Sequence, residues 1–178
     1  MVQEQWVGDS ARYSSGAKGD TWAREAAEHG AQGTQRIASA GPALPSRRVA
    51  DMLELQASEE VVGRRRVMEL DGEPVELTDS YFRSTLVAGT AIARPQKIRG
   101  GPAAVLAALG VVLAPEAVEE VEARPPTEAE QAALHLPDGV WVLVQHRLHR
   151  SSAGAPIQVD VMVASALRQR LRYEIKNG

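Results

Sequence analysis

The chain has 178 residues, 44% of them hydrophobic and 24% charged, enough for one domain with a sizeable core and too little for most multidomain enzymes. Its 20 basic and 23 acidic side chains leave a formal charge of −3, which argues against a chain that itself neutralises many phosphates. Cysteine is absent, excluding disulfides, thiolate zinc sites and a cysteine nucleophile.

Residues 1–19 include a Ser/Gly-rich stretch without periodicity and read as a flexible lead-in or linker, ahead of a single domain over residues 20–176. They carry neither the basic n-region nor the apolar h-region of a signal peptide. The longest apolar stretch, residues 103–114, falls short of the ~18 residues a membrane span needs. A cytoplasmic protein is expected.

DTWAREAAEHG, residues 20–30, has a capping residue, good helix formers and a glycine stop, so it predicts a short helix. TQRIASA follows as a strand. PSRRVADMLEL then places Val49, Met52 and Leu53 at helical spacing. Two strand-like runs, VVGRRRVMEL and PVELTDSYF, flank Asp71 and Gly72, a strong hairpin signal. Next come a turn at Gly100 and Gly101, an apolar helix PAAVLAALG, and an extended EAVEEVEARPP whose charges read as a solvated face. Thr127 and Glu130 have the spacing of a capping box for the helix TEAEQAALHL. WVLVQHRLHR and PIQVDVMVA form a second hairpin around SSAGA, and RLRYEI is a final strand. Hairpin-linked strands with inserted helices give an α+β fold with a mostly antiparallel sheet.

In GRRRV, period-2 alternation puts Arg64 and Arg66 on one face and Arg65 on the other. One face could hold a carboxylate or phosphate in a bidentate fork; the plainer reading is a charged edge strand. Gly100 and Gly101 ahead of a helix offer backbone donors to an anion, and a plain turn explains them equally well. His146 and His149 fall on opposite strand faces, and His29 and His135 lie near helix ends. No metal site is expected, and no cofactor. No G-x-S-x-G elbow supports a serine hydrolase.

The order of these pieces resembles the UTRA domain, the effector-binding half of HutC-type GntR transcription regulators. The similarity covers residues 20–175 and rests on R-x-x-x-x-DGEPV-x-L-x-x-SYF from Arg66, then EARP-x-x-x-x-E-x-x-x-L, then a late G-x-PI. The resemblance implies a chorismate-lyase-like fold, a six-stranded antiparallel sheet with helices on one side enclosing a small-molecule cleft, usually in a homodimer. It also implies an N-terminal winged helix, for which the roughly 20 preceding residues are too few. The chain is thus expected to be either an excised sensor half or a protein made without the DNA-binding head, with no DNA binding of its own.

In relatives that sense phosphorylated amino sugars, two arginines alternate on the first hairpin strand. Arg66 matches the first, and Met68 stands where the second would be. Thr78 replaces an acidic residue, Gly101 a serine, Ala103 a tyrosine and Gln158 a glutamate, so a less polar cleft is expected. Arg147 matches an arginine of the penultimate hairpin strand, where a structural ion pair is the alternative. The resemblance implies an effector site in which Arg66 anchors a carboxylate or carbonyl, Gly100 and Gly101 offer donors, Thr78 and Gln158 orient the polar end, and Met68 and Ala103 supply apolar wall. Asp160 shares the strand face of Gln158 and is the remaining carboxylate for the competing reading, a lyase or cyclase on the same fold. A third reading is an interaction protein that pairs with a headed regulator.

Overall fold

The structure, a computed structural model, describes residues 6–9, 21–57 and 59–173, with backbone alone for 6–9 and Thr21. In chain order its elements are β1 (Trp6–Asp9), α1 (Thr21–Glu28), β2 (Gly33–Ala43), α2 (Arg47–Met52), β3 (Val61–Leu70), β4 (Glu73–Arg83), α3 (Ser84–Val87), a 3-10 turn (Ala91–Ala93), α4 (Gly101–Ala108), β5 (Leu113–Arg124), α5 (Glu128–Ala133), β6 (Val142–Ser151), β7 (Pro156–Ser165) and β8 (Gln169–Arg172). Six strands form one antiparallel sheet in the order β2-β3-β4-β7-β6-β5.

Local chemistry explains most boundaries. Asp71 and Gly72 both take positive φ, 51° and 84°, so the two-residue turn matches the twist of β3 and β4. The Ser46 side chain accepts from the Val49 N–H at the start of α2. Thr127 and Glu130 form the expected capping box on α5, and Arg124 grips the same glutamate at 2.7 Å, fastening the helix to the end of β5.

Helices pack against both faces of the sheet, so the expected single-sided arrangement is widened. Val49 and Leu53 of α2 meet Val61, Leu148 and Val159, and Leu134 and Leu136 after α5 meet Val142, Val144 and Val163. On the opposite face, α3, the 3-10 turn and α4 close one end through Val62, Phe82, Val87, Ile92 and Leu106. At the other end α1 lies on β2, where a Cβ on Gly33 would stand 2.7 Å from that of Ala26. Glycine is required there by close approach.

One expectation is corrected, and two others gain detail. GRRRV is not an edge strand: β2 pairs along the outer side of β3, and β2 and β5 are the edges. The Gly/Ala/Ser content of β2 hides its strength in the sequence, and its Pro42 suits an edge. Within the N-terminal lead-in, Trp6–Asp9 is a strand; residues 10–20, with the Ser/Gly-rich stretch, lie outside the described residues. The final strand, β8, does not join the main sheet but pairs in parallel with β1, Trp6 opposite Gln169.

Candidate functional site: a polar sheet face

Register decides which side chains meet. Arg64, Arg66 and Met68 of β3 stand opposite Ser80, Thr78 and Glu76 of β4, which stand opposite Asp160, Met162 and Ala164 of β7. On β6, His149, Arg147 and Gln145 face Gln158, Asp160 and Met162. Six of the nine expected site residues, Arg66, Met68, Thr78, Arg147, Gln158 and Asp160, therefore share one face. It lies between the apolar cluster under α4 and the packing of α1, and β8 approaches from the side: the Gln169 side chain bonds Glu76, and the Tyr173 hydroxyl donates to Glu119 at 2.6 Å.

The other three, Gly100, Gly101 and Ala103, sit at the start of α4. Gly100 (φ 78°) is its N-cap, and Gly101 (φ 68°) its first residue. The Gly101 N–H already donates to the Ile98 carbonyl at 3.0 Å, so it is not the free donor expected for an anion. Ala103 is exposed. Arg64 ties this segment to the sheet: its guanidinium, buried, donates to the Arg94 and Gln96 carbonyls at 2.8 and 2.6 Å.

Asp160 is the most heavily bonded group of the face. It accepts from Ser80 at 2.5 Å, from Gln158 at 2.8 Å on both oxygens, and lies 3.2 Å from His149 Nε2. Burial would raise its carboxyl, but the His149 bond and charge, Arg66 and Ser80 outweigh burial and hold it far below the usual carboxylate range. Arg147 pairs with Glu119 at 2.6 Å, the ion-pair alternative. Burial also works to raise Glu119, and Arg147, Tyr173 and Gln145 overcome it, lowering its pKa. Glu76 behaves oppositely. Burial pushes its carboxyl up, against the Thr78 bond and the more distant Arg66 and Arg147.

Four polar residues outside the expected set, Glu76, Ser80, Gln145 and His149, also stand on this face, at positions given by strand alternation. Ser80, His149 and Asp160 share the residue types of a hydrolase triad in the wrong order. Ser80 is fully buried and donates to Asp160, with no histidine positioned to take its proton. Ser80 is therefore not set up as an activated nucleophile.

Arg66 differs from its neighbours. It is partly exposed, its Nη2 reaches Ser80 only at 3.3 Å, and its buried Nε has no hydrogen-bond partner among the described residues. Arg65 points to the other face and is held by Asp79 through bonds of 2.7 and 2.6 Å.

Comparison with known proteins places this architecture. The chain is 31% identical over 131 residues to an uncharacterised HTH-type transcriptional regulator of Streptomyces coelicolor, a match covering 72% of this chain and 48% of the relative, so the chain spans about half that protein's length. A crystal structure described as a GntR-family transcriptional regulator superposes with a TM-score of 0.83 at 24% identity, over 100% of this chain and 72% of that one. PhnF from Mycobacterium smegmatis gives 0.77 at 13% identity, over 99% and 74%. The family model for the UTRA domain matches residues 28–169, a span that holds all six strands of the sheet and the whole polar face of β3, β4, β7 and β6, and the chain belongs to that family.

Proposed function

We propose that this chain is the effector-sensing part of a GntR-type transcription regulator of the HutC subfamily, and that it takes a small organic ligand through an anionic or carbonyl group on Arg66. The supporting observation is the state of Arg66: partly exposed on a polar face, with a desolvated Nε that no acceptor meets. An unpartnered buried donor is costly, and a ligand oxygen relieves that cost. Thr78, Gln158 and Asp160 order the polar end, Arg147 keeps the far side rigid through Glu119, Met68 gives apolar wall, and Gly100, Gly101 and Ala103 shape the entry to α4.

Reading of DNA belongs to a basic module, which a chain of charge −3 does not supply by itself. The working compartment is the cytoplasm, where such a regulator meets DNA; no helix among the described residues is long and apolar enough to cross a membrane. A homodimer forms along an edge of the sheet. Edge strand β5 leaves Val118 and Val121 56% and 43% exposed beside unpaired backbone groups. Light scattering at micromolar concentration is expected to give twice 19.1 kDa, and a monomer mass overturns the dimer.

The ligand reading is tested by a thermal-shift screen of carboxylates and phosphorylated metabolites, followed by calorimetry with the best hit. Arg66→Ala is expected to weaken binding by roughly 2 to 5 kcal/mol with little loss of fold, since it removes a charge-assisted contact in a partly desolvated site. Arg65→Ala, on the opposite face, leaves affinity unchanged. Equal affinity of Arg66→Ala and wild type removes Arg66 from the site.

A further inference from the structure

Most charges on the polar face neutralise one another. Arg147 holds Glu119, and Asp160 is surrounded by Ser80, Gln158 and His149. Two side chains of opposite sign stand outside this pattern. Among the described residues Arg66 has no carboxylate within 4.0 Å. Glu76 has no cationic group within 4.0 Å; its bonded donors are the Thr78 hydroxyl, at 2.7 Å, and the Gln169 side chain, both neutral.

The two lie close together. Arg66 is directly opposite Thr78, and Glu76 is two residues from Thr78 on the same strand face, so they are diagonal neighbours at a backbone separation of about 7 to 8 Å. Both are partly exposed while Met68 and Thr78, which complete the square, are buried. A partly exposed guanidinium and a partly exposed carboxylate that feel each other without pairing are both open to a molecule with matching opposite charges.

We infer that the cleft selects a dipolar ligand, an organic acid carrying a protonated amine a short carbon chain away, with its anion on Arg66 and its ammonium on Glu76. This rests on Arg66 as the anion anchor and adds a second contact that a plain carboxylate or phosphate cannot make. An ammonium brings three donors, and Glu76 retains acceptor capacity beyond the Thr78 and Gln169 bonds. Burial already strains the Glu76 carboxylate toward its protonated form, so a cation arriving there supplies the counter-charge that the protein withholds.

Two matched ladders test it by calorimetry: acetate, propanoate, butanoate and pentanoate against glycine, 3-aminopropanoate, 4-aminobutanoate and 5-aminopentanoate. At least one amino acid is expected to bind tenfold or more tighter than its amine-free partner, roughly the effect of one charge-assisted contact. Glu76→Gln, which keeps the shape and the Thr78 contact, should abolish that advantage by weakening the amino acid while the plain acid binds at least as tightly as before, since a negative charge near the anion is removed. Arg66→Ala should weaken both ladders. An advantage that survives Glu76→Gln, plain acids binding as well as amino acids, or no binding by either ladder at about 10 mM overturns the inference. Plain acids that bind, and that lose affinity on Arg66→Ala while the amine adds nothing, leave the anion anchor standing and remove only the role of Glu76. Indifference to Arg66→Ala removes the anchor itself.

Discussion

Asp160→Ala is expected to lower stability by about 3 to 5 kcal/mol, because it strips the common acceptor from a buried network and leaves its donors without a partner. Ser80, Gln158 and His149 all converge on this one carboxylate, and Arg66 loses a nearby counter-charge. The same geometry sets an acid response. Asp160 is held far below its ordinary range in the fold, so as pH falls the unfolded chain takes up its proton first. Its contribution is therefore full above the ordinary aspartate value, about 3.9, and drains away as pH drops below it. Glu59, Glu119 and Glu130 are also lowered and slope the same way. The test is therefore the difference between wild type and Asp160→Asn in urea unfolding at pH 3 and pH 6. Wild type should lose more stability than the variant between those conditions; parallel losses would show that Asp160 is not the depressed group.

Phe82→Ala is expected to cost a further 3 to 5 kcal/mol, the range for emptying a fully enclosed aromatic site. Phe82 is inaccessible and sits among Val62, Val87, Ile92, Leu106 and Ile157, the cluster that joins the sheet to α3, the 3-10 turn and α4. The variant should therefore do more than lower the denaturation midpoint. The Arg64 bonds to the Arg94 and Gln96 carbonyls remain, but the helix that Gly100 and Gly101 begin loses its apolar seat. Amide exchange should quicken across residues 91–108 beyond the change in β6 and β7. A loss spread evenly over the sheet would mean that this cluster supports the whole fold rather than the α4 end.

What was legible in the sequence is what local chemistry writes. The Asp71-Gly72 turn, the Thr127 and Glu130 cap and the helical spacing of Val49 and Leu53 each act within a few residues, and each is found where expected. Strand alternation also carried Arg66, Thr78, Gln158 and Asp160 to a shared face. The same alternation held more than was read from it: Glu76 and Ser80 lie two residues either side of Thr78 and must share its face. Glu119 was hidden in a run of glutamates, where nothing in the sequence marks the one that turns inward to Arg147. The edge-strand reading of GRRRV failed because position in a sheet depends on which strands pair, and although TQRIASA reads as a strand, nothing local to it says that it lies beside β3.

The parallel pairing of β1 with β8 has a kinetic consequence. Trp6 meets Gln169 only after nearly the whole chain has been brought together, which makes this the least local contact of the described residues, while four residue pairs return little for closing so large a loop. The six-stranded sheet can assemble from its hairpins without it. The ribbon should therefore dock last during refolding and open first in the native state, so that the segments at the two ends of the chain exchange between tied and released on a free-energy scale well below that of global unfolding.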